Sequence, residues 1–318
     1  KLSTSCSYTP SILGYYHLSR ILGGVALVPP AVLRTVDLPK HKEIGKKAMA
    51  QTKAGSLIRQ TWTGLISNLN AGINSPKRDL LLTDDWQQSY GALTKNPTNE
   101  DKYSEFFNGG ADNLARAKNF RGNKIMKLLG QSASVSSIVS RNFAAEPVQA
   151  LVQMKDASDM IILDTIMNQQ DRFGNVHSIE VFKYLENGKV ATSFNMTPVE
   201  ATAAKAVKVK QMLLKDNDCG VAKDNIAVKA GLAAQLKHLD PETYARVQKL
   251  DAEADRADVK QFFVEELAFT AKDYTIVRTN LKTLAAQLRT ACQKGSLKLD
   301  LDMDAQFAGA QPKAVSCQ

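Results

Sequence analysis

One stretch in the second half of the chain leaves little freedom of reading. His177 to Glu186 alternates in polarity, Asn187-Gly188 follows, and Lys189 to Phe194 returns. Asn-Gly supplies the positive φ angles of a two-residue turn whose twist matches the flanking strands, so the segment predicts a β-hairpin. A lone hairpin is marginal in water and must lay one face on apolar surface. The chain offers such surface on either side. Upstream, Met160, Ile161, Leu163, Ile166 and Met167 recur at helical spacing, with Ser158 or Asp159 as the cap; downstream, Val209 to Leu214 reads as a short apolar strand. Between hairpin and strand, Thr197-Pro198-Val199-Glu200 is a capping box with proline at the first helical position, and it predicts a helix through about Val207.

The remainder reads as mostly helical. Ile12, Tyr15, Tyr16, Leu18, Ile21 and Leu22 predict a helix that Gly23-Gly24 ends, and Val25 to Val36 then reads as two extended pieces around Pro29-Pro30. Residues 37 to about 150 are expected to be mostly helical, with Trp62 and Trp86 in the core or lining a groove. Asp240-Pro241 and Thr270 to Asp273 start two more helices, the second ending near Lys294-Gly295, and the tail after Leu301 is expected to be loosely ordered. There is no internal repeat.

At 318 residues, 44% hydrophobic and 23% charged, the chain can bury a full core in about two lobes, which excludes disordered and collagen-like classes. Its longest apolar run, Ile21 to Leu33, is too short to span a bilayer and is broken by Pro29-Pro30, so no transmembrane segment is expected. A net charge of +9 favours anionic partners. With 7% aromatics and no zinc-finger or RNA-binding signature, specific nucleic-acid binding is not expected. The lysine clusters at Lys40, Lys42, Lys46, Lys47 and at Lys205, Lys208, Lys210 read first as solvated faces.

Cys6, Cys219, Cys292 and Cys317 show no Cys-x-x-Cys and no histidine at zinc spacing; a Cys292–Cys317 bridge would tie the tail to the preceding helix. With a first residue that is Lys rather than Met, the cysteines suggest removal of an upstream segment and a periplasmic or secreted location, with the cytoplasm left open. His17, His41, His177 and His238 are scattered, and no hydrolase motif is present.

Two acidic loops carry the chemistry. One holds Asp171, Arg172 and Asn175 at the end of the central helix; the other holds Asp216 and Asp218 after the apolar strand. About forty residues of hairpin and helix separate them, enough to bring them together. Carboxylates and an amide at element ends are hard oxygen ligands that suit magnesium held against phosphate oxygens. Phosphoryl transfer needs that set, with one Asp orienting the attacking hydroxyl and others holding the metal. Either loop alone also fits a bland reading, an Asp-Arg ion pair or an Asp-rich turn. Cys219, among carboxylates, is expected to be buried or disulfide-bonded rather than reactive.

The string Leu163-Asp164 to Asp171-Arg172, a hairpin, then Met212 to Asp216-Asn217 resembles the C-lobe of an atypical kinase group that includes HipA-type bacterial kinases, phosphatidylinositol kinases and secreted Golgi kinases. Tyr16 to Leu22, Val28-Pro29-Pro30 and Arg34 resemble that group's N-lobe helix and following strand, so the resemblance covers roughly residues 12–36 and 159–220. It implies an α+β, predominantly helical, bilobal kinase-like fold with an incomplete N-lobe. Residues 1–75 would be that partial N-lobe and a connector; residues 76–318 would be a helical C-lobe, with the catalytic-loop and metal-loop hairpin at 159–220. It implies ATP and magnesium as cofactors and a protein hydroxyl as acceptor. Asp171 would be the catalytic Asp, with Arg172 bracing its loop through nearby carboxylates and Asp164 a supporting acid. Asp216 would be the metal ligand, with Asn175 a candidate second ligand and Asp218 the alternative, and Lys1 the remnant of a nucleotide-binding lysine or simply a terminal residue.

The chain departs from the group's pattern in three places. Phe173 stands where the group has His, and only Phe173-Gly174 separate Arg172 from Asn175, so Asn175 reaches the metal by a different path or not at all. The acid expected on the N-lobe helix falls near Ile12, and no glycine-rich phosphate loop is visible. Either that loop precedes Lys1 and the protein is a kinase, or the chain is a pseudokinase, a kinase-derived scaffold that binds a protein partner. A helical structural protein with two accidental acidic loops is the third reading.

Overall fold

The structure is a computed structural model that describes residue 6 and residues 8–95, 97–221 and 223–317; Lys1 lies outside the described residues. The fold is α+β and mostly helical, 52% helix, with two small antiparallel sheets. Helix α1 spans Thr9–Ile21 and buries Leu13, Tyr15 and Leu18. Gly23 and Gly24, at φ 99° and 82°, turn the chain out of it. Strand β1 (Ala31–Asp37) pairs with β2 (Gln88–Thr94), Ala31 opposite Thr94 and Asp37 opposite Gln88. Residues 37 to 150 are therefore not uniformly helical. The β2 segment, Gln-Ser-Tyr-Gly-Ala-Leu-Thr, carries weak strand signals, and its pairing with β1 is what extends it.

Between those strands, α2 (Leu38–Gln51) and α3 (Leu57–Ala71) form a helical hairpin. A β-carbon at Gly45 would run into Ile66, so glycine is what lets the two helices approach. Ile66, Leu69 and Leu82 make a small core there, separate from the main one.

The second sheet centres on β4 (His177–Glu186), which the Asn187-Gly188 turn joins to β5 (Lys189–Ser193). One edge of β4 pairs with β6 (Val207–Leu213), and the other pairs with β3 (Glu100–Lys102) near its start and β5 near its end. The sheet lies on α4 (Ala145–Met167), in which every residue from Asp156 to Met167 is buried. Ser158 and Asp159 are thus inside a long helix and cap nothing; apolar Val148, Leu151 and Val152 carry the pattern upstream.

The short helix α5 (Pro198–Ala203) has its capping box, with Thr197 and Glu200 exchanging bonds, and ends before Val207, where β6 begins. Helix α6 (Pro241–Glu253) starts at the Asp240 cap, and α7 (Ala271–Gln293) at a Thr270–Asp273 capping box. The tail is not loose. Asp302 caps α8 (Met303–Phe307), Gln306 and Phe307 are buried, and Cys317 is bonded to Cys292. Among the described residues no helix is long and apolar enough to cross a membrane.

Candidate functional site

Helix α4 stops at Asn168, whose left-handed backbone (φ 56°) turns the chain into the first acidic loop. Gln169 then folds its side-chain oxygen back to accept the backbone N–H groups of Gln170 at 3.0 Å and Asp171 at 3.1 Å, which fixes where Asp171 leaves the backbone. Arg172 points inward and is 1% exposed. Its Nε donates to both oxygens of Asp164, at 3.2 and 3.0 Å, and its Nη2 donates to Asp164 Oδ1 at 3.0 Å. Tyr15 of α1 donates its hydroxyl to the same carboxylate at 2.6 Å, and the guanidinium carbon lies 5.4 Å from the centre of the Tyr15 ring. A buried charge without such a partner would be costly, so Asp164 and Arg172 require each other.

The remaining guanidinium donors reach the second loop. Nη1 donates to the Lys215 carbonyl at 2.8 Å and Nη2 to Asn217 Oδ1 at 2.7 Å. Asn217 is buried, and its amide donates to the Leu214 carbonyl at 2.8 Å. The Ser11 hydroxyl donates to the Asn217 carbonyl at 2.5 Å and accepts the Gly220 N–H at 2.9 Å. A β-carbon at Gly220 would collide with that hydroxyl. Cys219 is disulfide-bonded to Cys6, which ties this loop to the segment entering α1. Held in this way, Asp216 takes a left-handed backbone (φ 60°) and is exposed, while Asp218 is half-buried.

The two loops are close enough for their charges to interact. Burial raises Asp218 above the usual carboxylate range, the Asp216 and Asp171 carboxylates raise it further, and Arg172 pulls the other way. Asp216 and Asp218 line a cavity of about 230 Å³ together with Ile12, Pro29, Thr94 and Lys215. Val28 and Pro29 also line a neighbouring cleft of about 910 Å³, whose walls include Ile179, Phe182, Phe194 and Leu213. Asp171 is half-buried and lies outside the lining of the 230 Å³ cavity, as does Asn175, whose backbone N–H closes a turn on the Arg172 carbonyl at 3.0 Å.

Phe173 is explained by packing. It meets Phe120 at 5.3 Å between ring centres, and Phe120 in turn meets Phe106, so the position belongs to the core. Three participants were not legible as site residues: Asn217, Ser11 and Lys215. Asn217 had a signal, its place between two aspartates on a strand's exit. Lys215 lines the acidic cavity and is ion-paired with Glu100 of β3, more than a hundred residues away in sequence.

A divalent cation would fit here in a limited way. Among the described residues no three His, Cys, Asp or Glu side chains are grouped to hold a metal. Asp216 and Asp218 line one cavity, and magnesium commonly takes one or two carboxylates with water and phosphate completing its shell.

A long buried helix, an Asp-Arg loop at its end, an antiparallel hairpin and strand, and an acidic loop gripped by the same arginine make up the candidate site. Among solved structures, the chain is similar to the Golgi casein kinase with Mn/ADP bound, at 13% identity and a TM-score of 0.44 over 88% of this chain and 60% of that one. A second structure of the Golgi casein kinase is similar at 12% identity and a TM-score of 0.47, over 95% of this chain and 66% of that one. The chain therefore spans less than two thirds of either structure's length. No protein-family model and no curated protein sequence matches the chain.

Proposed function

We propose that this chain is the body of a nucleotide-dependent phosphotransferase that moves the ATP γ-phosphate to a protein hydroxyl. The observation that carries the reading is Arg172, which bonds Asp164, the Lys215 carbonyl and Asn217 at once and so draws both acidic loops together. The apolar cleft beside the acidic cavity has the size and lining of a small-ligand site and would take the base, leaving the phosphates toward Asp216 and Asp218. Those two aspartates would hold magnesium, which when bound neutralises charge on the phosphates. Asp171 orients the acceptor hydroxyl and takes its proton. Arg172 is a positioning residue, since its donors are spent on protein groups. Lys215 stands in the cavity wall where a cation facing phosphate is needed, in a chain whose sequence shows no glycine-rich phosphate loop. The two disulfides suit an oxidising, secretory setting.

The test is transfer of labelled phosphate from ATP with magnesium, comparing the wild type with Asp171→Ala and Lys215→Met. Label on the wild type, abolished by the first change and reduced by the second, is the expected result. Retained transfer by Asp171→Ala overturns the assignment. A scaffold reading is favoured by one observation: Ile12, an apolar residue near the position where the kinase group has an acid, lines the cavity with Asp216 and Asp218. Absence of both transfer and magnesium-dependent ATP binding would select it.

A further inference from the structure

The α2–α3 hairpin lines, through His41, Thr61, Trp62 and Leu65, a cavity of about 610 Å³ that Ile12 and Asp218 also line, and it concentrates the chain's charge. Residues 38–71 hold Lys40, Lys42, Lys46, Lys47, Lys53 and Arg59 against the single acid Glu43, a net of +5 in a chain of +9. Glu43 is occupied by Lys40 at 3.1 Å and Lys47 at 2.7 Å. Lys46 and Lys53 have no ion-pair partner among the described residues and are exposed.

The tip of the hairpin adds a second, independent feature. Every residue from Ala50 to Ile58 is exposed except Thr52 and Ser56, so the tip is convex. At its crest Leu57 and Ile58 are 60% and 61% exposed, among the most exposed large apolar side chains described. Ser56 caps α3 by accepting the Arg59 N–H, and its own hydroxyl donates to the Lys53 carbonyl at 2.7 Å. Lys53 and the apolar pair are thereby fixed on one short turn.

We infer that this tip docks on an anionic lipid surface, with Leu57 and Ile58 entering the headgroup–acyl boundary and Lys46 and Lys53 facing lipid phosphates. The pairing of adjacent apolar side chains with surrounding lysines matches the combination that holds amphipathic elements at interfaces, apolar burial plus attraction to anionic headgroups. An acidic protein would be met by the same charge. A protein partner, however, would bury two apolar side chains in a pocket of its own, whereas a bilayer accepts a convex tip with no complementary shape. Leu38 and Met49 of α2 pack against the mini-core of Ile66, Leu69 and Leu82, which joins the two helices of the hairpin.

The experiment is co-sedimentation of the full chain with phosphatidylcholine vesicles, with and without phosphatidylserine. Binding is expected only where phosphatidylserine is present, and it should weaken as salt rises. Leu57→Asp with Ile58→Asp is expected to cut partitioning by about tenfold or more, and Lys46→Glu with Lys53→Glu by a similar factor. Circular dichroism of each variant should match the wild type, since all four side chains are exposed. Equal binding to both vesicle types, loss with the lysine changes alone, or no vesicle binding beside tight binding to polyglutamate would overturn the inference; the last would point to an acidic protein.

Discussion

Replacing Asp164 with asparagine removes one negative charge and leaves nearly every atom in place. In the wild type that carboxylate accepts three bonds from Arg172 and one from Tyr15, and both charged partners are buried. The amide oxygen can still accept from Tyr15 and from Arg172 Nη2, but the NH₂ that replaces Oδ2 would face the guanidinium Nε, and Arg172 would be left buried with a full charge and no carboxylate beside it. Breaking a buried ion pair from one side costs about 3–5 kcal/mol. Against a total stability of about 5–15 kcal/mol, that should move the urea midpoint far to the left with little change in slope. Removing both charges together, as Asp164→Asn with Arg172→Gln, should cost less than the sum of the single changes, because no unpaired charge remains. Urea titrations followed by far-ultraviolet circular dichroism measure all four proteins. A loss below about 1 kcal/mol for Asp164→Asn, or simple additivity in the double variant, would refute the argument that the pair is mutually required.

A second buried cluster lies away from the site, where Asp156, Asp159 and Lys183 line a small cavity with Gln211 and Asp240. Burial pushes Asp156 up to about 7 and Asp159 up to about 6. The folded protein therefore keeps protons that the unfolded chain has released, and these groups lose stabilising effect as pH rises from about 4 through 7. Asp156→Asn, whose amide oxygen can still accept the Met212 N–H, should gain stability relative to the wild type as pH rises over that range, by at most about 4 kcal/mol. A difference in urea midpoint that stays flat from pH 5 to 8 would count against it. Cys6 and Cys219 are 213 residues apart, so losing their bond should cost about 2–5 kcal/mol. The Cys6→Ser, Cys219→Ser variant, compared in urea with the wild type under non-reducing conditions, checks this; equal midpoints would show that the bridge does not constrain the unfolded chain.

How much of this was readable in advance follows from the range of the interactions. The hairpin around Asn187-Gly188 and the two capping boxes depend on residues within a few positions of one another, and they stand where local chemistry puts them. Strand β2 depends on β1, more than fifty residues earlier, and its own residues do not announce it. Ser158 and Asp159 misled because polar residues buried in a long helix resemble caps when only their neighbours are seen. At the site, the aspartates were visible as residue types that bind metal. Their organiser was not: Arg172 could be paired with a nearby carboxylate on paper, but its grip on Asn217 is a contact across 45 positions. Lys215 was hidden for the same reason, since its value lies in the cavity it lines and in Glu100 across the sheet.

The guanidinium clamp also limits the shapes this loop can visit. For the Asp216–Asp218 segment to swing away, Arg172 must surrender two bonds to it, Ser11 must release the Asn217 carbonyl and the Gly220 N–H, and the bridge to Cys6 must be dragged along. If that opening costs about 3–5 kcal/mol, the outward arrangement holds only about one molecule in a hundred to one in several thousand. A ligand that preferred the outward arrangement would forfeit that much affinity before making its first contact, so control over this protein is better sought at the cavity mouth than in a flip of its acidic loop.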